Sequence, residues 1–240
     1  WTWDRKFGLK AIGGFYLSTL GLEKPEGVKV EGKYTVSINL DHPNPLLAKL
    51  QPNLYAPIYD SKKCKEVATA DDPWARKFIE NNSAGFGPYR LEQLQRGQQA
   101  VFKARQDYYL GKPAMETVIF REVPTSATRA ALLQGGAVDI AQYLQPLEIV
   151  RLRQQPGVKI DSVDASFMIW MELNAKVAPF DNVKVRQAMN FAFPQEQVLK
   201  TVFQGLAQPL HGCMPNIYAG YTDKFWKYNY DPAMAKSLLK

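Results

Sequence analysis

Along Phe167–Asn174 the residues Met168, Trp170 and Glu172 stand at alternate positions, with Phe167, Ile169, Met171 and Leu173 between them. In an extended chain successive side chains point to opposite faces, so one face carries a thioether, an indole and a carboxylate. The other face is purely apolar and is expected to be core. The first set suits a cleft wall that buries apolar groups and orients a polar one. A second reading is equally open at this point: Trp170 as core, with Glu172 paired to a nearby cation.

Other residue types restrict the chemistry further. His42 precedes Pro43 and His211 precedes Gly212, which places both in loops, and Cys64 and Cys213 complete no zinc-ligand spacing. The two cysteines fit either one disulfide or two free thiols. No G-x-S-x-G elbow, H-E-x-x-H helix or paired histidine and cysteine occurs, so nothing points to a catalytic site. Gly85-Phe86-Gly87-Pro88 lacks a third glycine and leads into a strand rather than a helix N-terminus, which excludes a phosphate loop. It reads as a tight crossover whose glycines permit unusual dihedrals.

The elements that must position these residues follow from periodicity. Helix is expected over Trp1–Leu22, interrupted at Gly13-Gly14, then a hairpin of Val28–Val30 and Tyr34–Leu40. Short helices follow at Asn44–Gln51 and from Asp71 or Asp72, the latter with Pro73 first and Trp74, Phe78 and Ile79 inward. Strands are expected over Tyr89–Leu94, Gln99–Ala104, Thr117–Val123, Val138–Ile140, Val158–Val163 and Phe167–Leu173. Helices are expected over Thr125–Gln134, Pro146–Gln154, Val183–Phe193, Gln195–Phe203 and Pro232–Lys240, the last capped by Asp231. The class is mixed α/β.

Composition agrees with a folded domain. The 240 residues are 46% hydrophobic and 22% charged, and no apolar run approaches the ~20 residues that cross a bilayer. The formal charge of +7 raises nucleic-acid binding as a class. Lys62, Lys63 and Lys65 form the one tight basic run, Glu66 follows at once, and the dispersed remainder suits a solvated face instead. The chain opens on Trp1 and closes inside a helix, and is expected to be a segment of a longer protein.

Five blocks resemble, in order, the signatures of the family 5 extracellular solute-binding proteins of ABC importers, the dipeptide, oligopeptide and nickel receptors. Ser83–Tyr89 resembles G-T-G-P-Y, and Asp107–Pro113 resembles D-Y-W-x-G-x-P. Thr128–Ile140 resembles A-L-x-x-G-x-V-D-I, Asp181–Ala188 resembles D-x-R-V-R-Q-A, and Tyr230–Leu239 resembles Y-D-P-x-K-A-K-x-L-L. Phe86, Tyr109 and Pro194 depart from the usual Thr or Ser, Trp and Asp, which leaves the solute open rather than the family.

The resemblance implies a periplasmic-binding-protein-like α/β fold of the class II type, two lobes plus an extra domain, present here as a partial chain. It implies that 1–83 is part of the extra domain, 84–165 the central part of the first lobe and 166–240 the start of the second. It further implies a non-enzymatic, periplasmic or lipid-anchored receptor. Such a receptor binds a peptide-like solute without a cofactor or metal and delivers it to a membrane permease. The resemblance turns Met168, Trp170 and Glu172 toward the ligand and adds Gln142 and Tyr143 at the end of a strand. Phe15 and Tyr16 are further candidates, reaching the cleft from the extra domain. Arg186 reads as a structural helix arginine and Asn174 as a strand cap. An enzyme on a similar scaffold and a basic anion or nucleic-acid binder are the alternative classes.

Overall fold

Side-chain oxygens start four of the helices. The computed structural model describes residues 1–9, 12–47, 57–164 and 166–240. In it the Asp60 carboxylate accepts the backbone N–H groups of Lys62 and Lys63, and the Thr125 hydroxyl accepts that of Thr128. Asn182 accepts the N–H of Lys184, and Asp231 that of Met234. Each satisfies a donor that the first helical turn leaves without a partner. The chain forms two compact units, residues 1–122 and 123–240.

In the first unit helices α1 (Thr2–Gly8) and α2 (Ile12–Thr19) run into each other closely. A Cβ on Gly14 would lie 2.9 Å from the Lys6 carbonyl oxygen, so glycine serves close backbone approach here. The expected interruption at Gly13-Gly14 is therefore not seen, and α2 runs through both. Strands β1 (Val28–Gly32) and β2 (Thr35–Ile38) pair antiparallel, as the alternation predicts. Of the helix expected over Asn44–Gln51, residues 48–51 lie outside the described residues.

Helix α3 (Ser61–Val67) has no counterpart in the sequence reading. Its one buried residue is Cys64, which packs with Ala75 and Ala84 against Trp1, Tyr59, Phe78 and Ile79. Helix α4 (Arg76–Ile79) starts later than Pro73, because Asp72 accepts N–H groups from Arg76 and Lys77 at 2.8 and 2.9 Å. Those bonds hold the Asp72 carboxyl below its usual range.

Strands β3 (Tyr89–Gln95), β4 (Gln99–Ala104) and β5 (Thr117–Arg121) form an antiparallel sheet in that order. Gly97, with φ +74°, turns β3 into β4. The crossover before β3 differs from expectation. Gly85 and Gly87 both have ordinary φ, and a Cβ on either meets nothing within 4 Å. Arg105 holds this loop instead, donating through Nη2 to the Gly85 carbonyl at 2.9 Å.

The second unit contains α5 (Ser126–Gln134), α6 (Pro146–Leu152), α7 (Val183–Ala192), α8 (Gln195–Thr201) and α9 (Pro232–Leu238). Ala188 of α7 and Ala235 of α9 are buried, and Asp231 N–H donates to the Phe191 carbonyl at 2.8 Å. Small side chains let these two helices approach. No described residue of this unit lies in a strand, so the strands expected over Val138–Ile140, Val158–Val163 and Phe167–Leu173 are not formed. Among the described residues no neighbouring backbone supplies the ladder hydrogen bonds that would make them strands.

Candidate functional site

Trp170 and Glu172 meet. The indole Nε1–H donates to the Glu172 carboxylate at 2.7 Å, which is the contact expected of two residues on one face of an extended segment. Trp170 is 61% exposed, and no described cation pairs with Glu172. One carboxylate oxygen is oriented by the indole, and the pair presents a flat apolar ring beside an oriented anion. Met168 is half-buried on the same stretch.

The opposite face departs from expectation. Phe167, Ile169 and Met171 are exposed at 78, 66 and 65%, so the face assigned to core lies open. Without a paired strand or a second layer, nothing among the described residues covers it. At the end of the segment the Asn174 Oδ1 accepts the Lys176 N–H at 3.0 Å, a turn-forming bond, and with no strand before it Asn174 does not act as the strand cap expected.

Gln142 and Tyr143 are also brought together, through their backbone. Arg129 Nε donates to the Gln142 carbonyl at 3.1 Å and Nη2 to that of Tyr143 at 2.8 Å. Both side chains are exposed, and Tyr143 has a left-handed backbone with φ +55°. Among the described residues no hydrogen bond, ion pair or ring contact joins this loop to Trp170 and Glu172. Phe15 stands in α2 of the first unit, 71% exposed, and its carbonyl accepts from Ser18 and Thr19 hydroxyls at 2.8 and 2.9 Å.

Arg129 is the residue that sequence reasoning passed over. Its signal was present, an arginine four positions after the cap residue Thr125. Arg186 stands at the same distance from the cap residue Asn182 and donates to the Phe180 and Asp181 carbonyls at 2.6 and 3.1 Å. The structural role expected of Arg186 is thus observed, and Arg129 extends the same device to a second loop.

Two cavities flank the sheet of the first unit and include none of these candidates. The larger, about 450 Å³, is lined by the basic Arg90, Lys103 and Arg105 and the acidic Glu92, Asp107 and Glu116. The smaller, about 240 Å³, is lined by Lys63, Arg90 and Arg105 with Asn82 and Ser83. No group of three or more His, Cys, Asp or Glu among the described residues is placed to hold a metal ion. No described helix is long and apolar enough to cross a membrane.

The whole chain, residues 1–240, matches the family model of bacterial extracellular solute-binding proteins, family 5 Middle. It is 31% identical over 235 residues to the dipeptide-binding protein of Escherichia coli K12, covering 96% of this chain and 43% of that one. Among solved structures it superposes with a TM-score of 0.81 on the ABC transporter-associated periplasmic binding protein DppA from Helicobacter pylori in complex with the peptide STSA. That pair is 23% identical and covers 93% of this chain and 43% of the other. MoaA from A. tumefaciens R10, solved with mannopinic acid, gives a TM-score of 0.80 at 26% identity, over 98% of this chain and 47% of that one. The fold is that of periplasmic binding proteins, with mixed helix and sheet, and this chain spans under half the length of these relatives. The chain belongs to the bacterial extracellular solute-binding proteins of family 5.

Proposed function

We propose that this chain works as the middle part of a longer receptor that captures a peptide-like solute outside the cytoplasm and delivers it to an ABC permease. Family membership supports the receptor role, and the names of the E. coli and H. pylori relatives support a peptide. The observation that carries the site is the exposed Trp170–Glu172 pair. Its ring offers a surface for an apolar side chain, and its carboxylate suits a peptide ammonium. Gln142, Tyr143 and Met168 complete the proposed lining. Residues 1–83 then form part of the extra domain, 84–165 the centre of the first lobe and 166–240 the start of the second. Binding shifts the population from open to closed lobes, without turnover of the solute.

The test is titration of the full-length protein with a dipeptide panel, read by intrinsic fluorescence. Glu172→Gln is expected to weaken binding by roughly 1–3 kcal/mol, the cost of a lost charged hydrogen bond. Trp170→Phe is expected to remove much of the fluorescence change while leaving the thermal midpoint nearly unmoved. Unchanged affinity in the Glu172 variant, or a large midpoint loss with intact binding in the Trp170 variant, removes that residue from the site.

A further inference from the structure

The Arg129 guanidinium binds four carbonyls from two separate stretches of chain. Nη1 donates to Val123 and to Pro124, the latter at 3.0 Å, while Nε and Nη2 donate to Gln142 and Tyr143. A planar guanidinium offers its donors in a fixed fork, so it sets the relative geometry of the loops it bridges. The loop so held contains a costly residue. A side chain with a Cβ in the left-handed region raises the backbone energy, and glycine or asparagine would adopt it more readily.

Two other described non-glycine residues have positive φ, and each has a local reason. Ala75 is completely buried in the first unit's core, and the Gln204 side chain donates to the Thr201 carbonyl. Tyr143 has none. Its side chain is 89% exposed, and no described residue bonds to its hydroxyl or stacks on its ring. Among the described residues nothing packs on the ring to offset that strain. Strain of this kind persists where the surrounding structure enforces it, and here Arg129 is the enforcing group.

We propose that Arg129 is a positioning residue that locks the Tyr143 backbone, so that the phenol is presented to the bound peptide. This rests on the receptor reading above. The phenol supplies a ring face for an apolar peptide side chain and a hydroxyl for a peptide carbonyl or amide. Arg129 itself touches backbone only and acts through Tyr143.

Full-length protein carrying Tyr143→Gly, Arg129→Lys or both decides this, with thermal midpoint and dialanine and Ala-Phe affinity measured for each. Tyr143→Gly is expected to keep or raise the midpoint while weakening binding by about tenfold or more, the loss of a contributing aromatic contact. Arg129→Lys keeps the charge but not the fork, and is expected to lower both midpoint and affinity. The double variant is expected to lose less than the sum of the two single losses, because the arginine then has only Gln142 left to position. Equal affinity of wild type and Tyr143→Gly overturns the proposal while leaving the receptor intact. Fully additive binding losses overturn the positioning role of Arg129. Failure of wild type to bind either dipeptide refutes the peptide reading itself, and this proposal with it. Should Arg129→Lys not fold, the Tyr143→Gly result alone still confirms or rejects the presented ring.

Discussion

The segments Gln99–Ala104 and Phe167–Leu173 look alike as sequence and differ as structure. Both alternate, and both carry aromatic and β-branched residues. The first lies between two partners, with Val101 facing Ile119 on one side and Gln93 on the other. Its side chains are half-buried or buried throughout. The second has no partner among the described residues, and Phe167, Ile169 and Met171 are exposed. Side-chain alternation thus selects an extended conformation and divides the faces. A strand also needs a neighbour for its N–H and C=O groups.

Amide hydrogen exchange breaks or sharpens this contrast most directly. In the 240-residue chain the amides of Val101 and Phe102 are expected to exchange at least ~100-fold more slowly than those of Ile169 and Met171. Equal protection would mean that the second segment is also paired.

The sheet-bearing unit has a weakness of its own, and its size gives the second prediction. Lys6 is buried, its Nζ has no hydrogen-bond partner among the described residues, and its ammonium lies 4.5 Å from the Trp3 ring centre. Burial, helped by the Arg5 charge, lowers its pKa from 10.5 to about 8. Between those values the unfolded chain holds the proton and the folded chain releases it, so stability rises with pH across that window. Lys6→Met is expected to stabilise the first unit at pH 7 by about 1–3 kcal/mol, the ring attraction offsetting part of the burial cost. The gain should shrink as pH approaches 10. A gain that does not change with pH would assign it to packing alone.

The smallest expected effects concern the second unit, where capped helices stand in place of a sheet. Thr125→Ala and Asn182→Ala each remove one cap and are expected to cost about 1 kcal/mol by chemical denaturation. A much larger loss at Thr125 would show that the cap and the Arg129 clamp are coupled.

What was legible in the sequence was local. The β3–β4 turn at Gly97, the β1–β2 hairpin, the Asp231 cap and the joint at Pro194 all follow from neighbours within a few residues. Helix α3 was hidden because four of its seven residues are charged and only Cys64 turns inward, which leaves almost no apolar period. The Asp60 cap was its clearest mark. Asp72 misled through reach, since its carboxylate serves donors four and five residues on and starts α4 beyond Pro73. Among the candidate residues, the face shared by Trp170 and Glu172 was readable from spacing alone. Arg129 was marked only by its place four residues after Thr125, and its reach to Gln142 and Tyr143 was hidden because those carbonyls lie 13 and 14 residues on and meet it only in the fold.

The two thiols give each unit its own reporter. Cys64 is wholly buried, and burial raises its pKa, so little reactive thiolate reaches a reagent while the first unit stays folded. Cys213 is free and exposed in the second unit. A thiol-directed dye therefore marks Cys213 in the native chain without any substitution. A second reagent, applied afterwards, registers only those moments when the first unit opens and Cys64 meets solvent. One unaltered chain thereby offers a fixed label in one unit and an unfolding clock in the other.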